Sequence, residues 1–209
     1  MEGILGKKLG MTQIFDQDGT MIPVTVVKAG PCVVVERRTA ARDGYEAVQL
    51  GLVEEQPPRH VTKPMAGHFK KAGVTPVRRL REFAVAAEEA WAAGDQIKVS
   101  IFEPREYVDV VGTGKGKGFQ GVVRRHGFRG GRATHGSMFH RAPGSIGGSS
   151  YPSRVFPGMR AAGRMGGKRV TAKNLLVVKV DAENDLLYIR GGIPGGKNGY
   201  VAIQRAKRG

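Results

Sequence analysis

Three histidines, His126, His135 and His140, fall within fifteen residues, and neutral imidazoles so grouped can hold a zinc ion. No Cys, Asp or Glu stands near them to complete a coordination shell, and Arg125 and Arg141 adjoin two of the three. That company favours contact with phosphate or base. Gly116, Gly118 and Gly121 reproduce the glycine pattern of a dinucleotide-binding turn, which also needs an acid about twenty positions on to hold a ribose. Phe139, His140 and Arg141 occupy that region, and the next acid is Asp181. Ser137, Ser145, Ser149 and Ser150 offer hydroxyls, but no local carboxylate is there to orient a histidine behind them, as acyl transfer requires. Cys32 is the only cysteine, so no intrachain disulfide or thiolate cluster can form, and its neighbours Val33, Val34 and Val35 predict a buried thiol. The chain therefore reads as a non-enzyme, with no catalytic residues, metal site, cofactor or small-molecule substrate.

The chemistry that remains is recognition of a polyanion. The 209 residues hold 34 Lys and Arg against 18 Asp and Glu, a net charge of +16. From Val110 to Val180 there is no acid, while fourteen basic residues fall there, including Lys173 and Lys179. The rest of the chain has 20 basic residues against all 18 acids, a net charge of +2, so the excess belongs to one segment. An ordinary solvated face intersperses both signs, and seventy-one acid-free residues do not. A disordered basic tail would lack aromatics, yet Phe119, Phe128, Phe139, Tyr151 and Phe156 lie here with Met138, Met159 and Met165.

Sixteen glycines between Gly112 and Gly167 are too many for a packed layer and too irregular for collagen or a solenoid. Such a segment cannot bury itself, but it can lie close against RNA, with arginine forks on phosphate and rings on unpaired bases. The candidate RNA-binding residues are Lys115, Lys117, Arg124, Arg125, His126, Arg129, Arg132, His135, His140, Arg141, Ser145, Arg154, Arg160, Arg164, Lys168 and Arg169. A membrane partner is not expected, because there is neither an apolar run of about eighteen residues nor a basic amphipathic helix of useful length. The opening residues lack the apolar stretch of a secretory signal, so a cytoplasmic location is expected.

Short Val-, Ile- and Thr-rich runs separated by turn residues predict strands on both sides of this segment. Gly10 to Phe15 and Met21 to Ala29 flank Asp16, Gln17, Asp18 and Gly19 as a hairpin. Cys32 to Arg37, Tyr45 to Val53, Ile97 to Phe102 and Tyr107 to Val111 follow as strands. Pro57 to Gly73 reads as irregular or weakly helical, with Pro57, Pro58 and Pro64 as breakers, and Ala84 to Ala93 as one short helix ended by Gly94. Trp91 is expected to fill core. A second hairpin joins Asn174 to Val180 with Leu186 to Ile189 around Asp181 to Asp185, and Tyr200 to Gln204 is the last strand. The expected fold is mainly β: residues 1–111 and 170–209 form a body large enough for a closed barrel, and 112–169 form an extended, largely irregular basic arm inserted between strands.

Four runs sharpen this reading: GILGKKLGMTQIF from Gly3, GTGKGKGFQGVVRRHGF from Gly112, ATHGSMFHRAPGSIG from Ala133 and AGRMGGKRVT from Ala162. They closely resemble the bacterial form of the large-subunit ribosomal protein "L three" family, and together they span nearly the whole chain. The resemblance implies a translation-factor-like six-stranded β-barrel and an arm reaching toward the peptidyl transferase centre. It also implies direct binding to large-subunit (23S) rRNA early in assembly, with large-subunit proteins fourteen and nineteen as neighbours. Some members carry a methylated glutamine after the GSIG run; Ser150 stands at the matching position here, so that modification is expected to be absent.

Overall fold

A computed structural model describes residues 2–86 and 88–207. In chain order the strands are β1 (Gly3–Phe15), β2 (Met21–Ala29), β3 (Cys32–Arg38), β4 (Ala47–Leu52), β5 (Leu80–Ala84), β6 (Gln96–Ile97), β7 (Tyr107–Thr113), β8 (Gly118–Gln120), β9 (Gly163–Met165), β10 (Arg169–Asp181), β11 (Leu186–Arg190) and β12 (Tyr200–Arg205). The helices are α1 (Ala40–Asp43), α2 (Lys63–Ala72) and α3 (Val122–His126). Strands hold 39% of the chain and helices 11%, so the protein is mainly β, as predicted.

Two compact units are present: Gly114–Lys168, and the residues on either side of it up to Thr113 and from Arg169. In the flanking unit the antiparallel neighbours run β1, β12, β7, β10, β11, β2, and β2 pairs with β1 again, which closes the ladder. One row across it shows what drives the pairing. Ile4 lies opposite Ile203, and Ile203 opposite Val110, and all three are fully buried. Val27 opposite Leu187 and Val177 opposite Ile189 repeat the pattern. β-branched side chains that face one another across strands and leave water contribute roughly 1.5–3 kcal/mol each.

The two hairpins form where turn chemistry predicts them. Gly19 N–H donates to the Asp16 carbonyl at 2.9 Å, with Gly19 at φ +74°. In the second hairpin, Asp181 Oδ1 accepts from the backbone N–H of Glu183 and Asn184, each at 3.2 Å.

A second sheet, in the order β5, β4, β3, β6, belongs to the same unit. Helix α2 buries Phe69 with Val33 and Val35 of that sheet and with Val77, which precedes β5. The sequence suggested an irregular or weakly helical stretch from Pro57 to Gly73, with Pro57, Pro58 and, within the helix observed, Pro64 as breakers. Pro64 sits in the first helical turn, where a missing N–H costs nothing, and Gly73 closes the helix in the left-handed region at φ +66°.

Two local expectations fail. Ala84 to Ala93 is no helix in its described residues; Ala87 lies outside them. Phe83 pairs with Val48 in the core, Val85 is buried behind it, and Trp91 packs on the same core with its indole N–H donating to Glu89 at 2.7 Å. Tertiary contacts thus override the alanine and glutamate preference for helix. Ile97 to Phe102 gives only the short β6 before a 3₁₀ turn at Val99–Ile101, which buries Val99 and Phe102. Cys32 is fully buried as predicted, its thiol donating to the Leu5 carbonyl at 3.5 Å.

Candidate nucleic-acid interface

Within Gly114–Lys168 the chain leaves and returns along one ribbon. Strand β8 pairs with β9, Gly118 opposite Met165 and Gln120 opposite Gly163. Gly114 N–H donates to the Lys168 carbonyl and Lys117 N–H to that of Met165, both at 2.9 Å. Helix α3 follows β8 and is stopped by Gly127 at φ +74°. Its last turn is fastened to the returning chain: Arg125 Nη1 donates to the Ala161 carbonyl at 2.6 Å, and His126 Nε2 lies 3.0 Å from the same oxygen.

Further out, His140 Nδ1 lies 2.9 Å from the Arg132 carbonyl, while Gly131 N–H donates to the His140 carbonyl at 2.9 Å. His135 at φ +58° and Gly136 at φ +67° make the turn between them. Ser145 Oγ donates to the Gly147 carbonyl at 3.2 Å, and the Arg154 guanidinium lies 5.2 Å from the Phe156 ring centre. Four candidate residues, Arg125, His126, His140 and Arg124, whose Nη1 donates to Gln120 Oε1 at 3.4 Å, are thus placed by bonds inside the segment, as is the hydroxyl of Ser145.

Lys115, Lys117, Arg124, Arg129, Arg132, His135, Arg141, Arg154, Arg160, Arg164 and Lys168 are all exposed, as is Arg169 at the start of β10. Among the described residues, Val122 is the one buried side chain between Gly114 and Lys168. Met138 is fully exposed, and Phe119 and Tyr151 nearly so. An apolar recess of about 340 Å³ is lined by Val122, Pro143, Ile146, Val155 and Met159 together with Arg141 and Arg160. Sequence reasoning missed this recess, because its walls come from three separate stretches with no shared periodicity.

The flanking unit treats its charges differently. Lys7 reaches Glu54 at 3.3 Å, Lys28 reaches Glu55 at 2.6 Å, and Arg205 reaches Glu106 at 2.6 Å. Burial opposes ionisation of Asp43, yet hydrogen bonds from Arg42 and Arg38 hold its carboxyl below the usual range. A cavity of about 450 Å³ holds Lys7, Lys28 and Arg78, but Glu54 and Glu55 lie in the same wall and pair with them. Three cations against two acids leave it an excess of a single positive charge. Among the described residues, none of the ion pairs involves Gly114–Lys168.

The glycines of Gly116, Gly118 and Gly121 do precede a helix, but that helix has five residues and β8 belongs to an antiparallel ribbon. A dinucleotide turn instead belongs to a parallel strand–helix–strand unit. What the segment can do chemically is meet phosphates with guanidinium and ammonium groups, and unpaired bases with exposed rings.

The model of the family described as "Ribosomal protein L3" matches residues 69–187. The chain belongs to the ribosomal protein L3 family. Large ribosomal subunit protein uL3 of Solibacter usitatus is 57% identical over 207 residues, covering 99% of both chains. The protein of the same name from Geobacter sulfurreducens is 55% identical over 203 residues, 97% of this chain and 96% of that one. That of Corynebacterium jeikeium is 54% identical over 210 residues, covering all of this chain and 96% of its own. Members of this family are structural proteins of the ribosome and not enzymes.

Proposed function

We propose that the chain is a structural constituent of the large ribosomal subunit that binds 23S rRNA directly through residues 112–169. One observation carries the reading: Gly114–Lys168 has, among the described residues, a single buried side chain, no carboxylate, and a set of exposed cations with no ion pair to an acid. A segment so built gains most of its contacts from outside itself. Arginines on neighbouring phosphates let rRNA helices approach that would otherwise repel, and each contact releases condensed counterions.

In this reading residues 1–111 and 170–209 are the translation-factor-like body that fixes where the arm starts, and the ladder that returns to β1 supports it. The arm acts early in subunit assembly and supports the rRNA around the peptidyl transferase centre without performing chemistry. Its protein neighbours are the large-subunit proteins numbered fourteen and nineteen, and its place is the cytoplasm, on the ribosome.

Sedimentation of a bacterial lysate tests the reading. The chain is expected to travel with the large subunit at one copy per particle, and ultraviolet crosslinking of that particle is expected to join rRNA to peptides from 112–169. A chain that stays in the free fraction, as a transient RNA chaperone would, overturns the proposal.

A further inference from the structure

The β1–β2 hairpin runs against the electrostatic character of the rest of the molecule. From Leu9 to Val27 there are nineteen residues without a Lys or Arg, while Asp16 and Asp18 stand at the tip, in a chain of net charge +16. The flanking cations do not compensate. Lys8 is buried and donates to the Ile193 and Gly195 carbonyls at 3.0 and 3.3 Å, and Lys28 is paired with Glu55 at 2.6 Å.

The outer hairpin also leaves apolar surface in water. Strand β11 pairs with β2 only as far as Val24, so Gln13 to Phe15 and Met21 to Pro23 form a two-stranded ribbon past that point. Paired residues share a face. Phe15 lies opposite Met21 and Gln13 opposite Pro23, with Met11 next along the same face. Phe15 is 63% exposed, Met11 57% and Met21 54%. Large apolar side chains gathered on one face of a projecting ribbon mark a surface that a partner covers.

The charge says which kind of partner. Phosphate oxygens are repelled by Asp16 and Asp18, and none of the nineteen residues from Leu9 to Val27 is a Lys or Arg, so RNA is disfavoured here. We infer that this hairpin face is a protein-docking surface whose occupant is a basic segment of a neighbouring protein. Apolar side chains of that segment cover Met11, Phe15, Met21 and Pro23, and its Lys or Arg residues reach Asp16 and Asp18. The chain would then divide its contacts, RNA on the acid-free segment and protein on the hairpin. The inference rests on the proposed place in the large subunit.

A photoreactive benzophenone amino acid in place of Gln13, in the middle of the face, tests it in assembled large subunits from cells expressing the full chain. The expected adduct joins Gln13's position to a ribosomal protein, through a Lys- or Arg-rich peptide identified by mass spectrometry. Combining it with Asp16→Lys and Asp18→Lys is expected to lower the adduct yield at least about tenfold with subunit incorporation unchanged, since opposed charges meet across the contact. An adduct to rRNA, an adduct to a second copy of this chain, or a yield no higher than from the same group at exposed Lys98 overturns the inference. Failure of the chain to enter the large subunit at all overturns the proposed function instead, and the sedimentation profile separates the two.

Discussion

Gly131 and Phe139 approach so closely that a Cβ on the glycine would stand 1.9 Å from the Phe139 carbonyl oxygen. Together with the Gly131 to His140 hydrogen bond, this pinches the loop that carries Arg132 and His135. Gly131→Ala must push the two strands of the loop apart, at a strain on the order of 1–3 kcal/mol. In competition with the wild-type chain for incorporation into large subunits, it is expected to lose by about tenfold. Gly116→Ala, where a Cβ meets nothing within 4 Å, is the control and should compete equally.

With Val122 as the one buried side chain among its described residues, Gly114–Lys168 has little apolar burial to resist local opening in the isolated protein. Trypsin should cut first at Arg129, Arg132 and Arg141, and binding to rRNA should protect those bonds. Cleavage of the free chain there no faster than within β3 or β4 would show that the segment is rigid by itself.

Affinity for rRNA should fall steeply with salt, by roughly 0.7–0.9 in log affinity per log salt for each phosphate contacted. Replacing Gly114–Lys168 by a short turn should flatten that slope sharply, because the replaced segment holds eleven Lys and Arg and no acid. An unchanged slope would place the electrostatic contacts on the body.

Burial pushes the Cys32 thiol up to about 12, from an ordinary 9.0. A raised value means the folded state keeps a proton that the unfolded chain releases. The associated stability is complete below pH 9 and is lost as pH rises toward 12. At pH 8 the native thiolate fraction is about a thousandfold below the unfolded one, so alkylation of the folded protein should be slower in proportion. Rates within about tenfold of those in urea would mean that the thiol is reachable in the native state.

Features set by short-range chemistry were legible in the sequence. Asp16 to Gly19 and Asp181 to Asp185 announce turns because Asp and Gly make them locally, and the acid-free run needs no structure to be seen. Features set by distant partners were not. Ala84 to Ala93 has helical composition, yet Val85 and Trp91 are drawn to a core built by other strands. Pairing of Gly118–Gln120 with Gly163–Met165 leaves no trace in patterning, since neither stretch alternates apolar and polar residues. In the candidate interface the cations could be named from sequence, but not Ala161, whose contribution is a backbone carbonyl and so is indifferent to residue type.

Closure of the six-stranded ladder through β1 and β12 constrains the order of events during synthesis. Gly3 pairs with Gln204 and Lys7 with Tyr200, so β1 waits for the last of the six strands to be made. Strand β7 likewise waits for β10, with Gly114–Lys168 synthesised in between. Contacts this distant in sequence form late, because chain entropy must be lost before they stabilise anything. The most cationic part of the chain is therefore outside the synthesising ribosome while the body still has unpaired strand edges, and a nascent chain in that state is open both to polyanions and to edge-to-edge association.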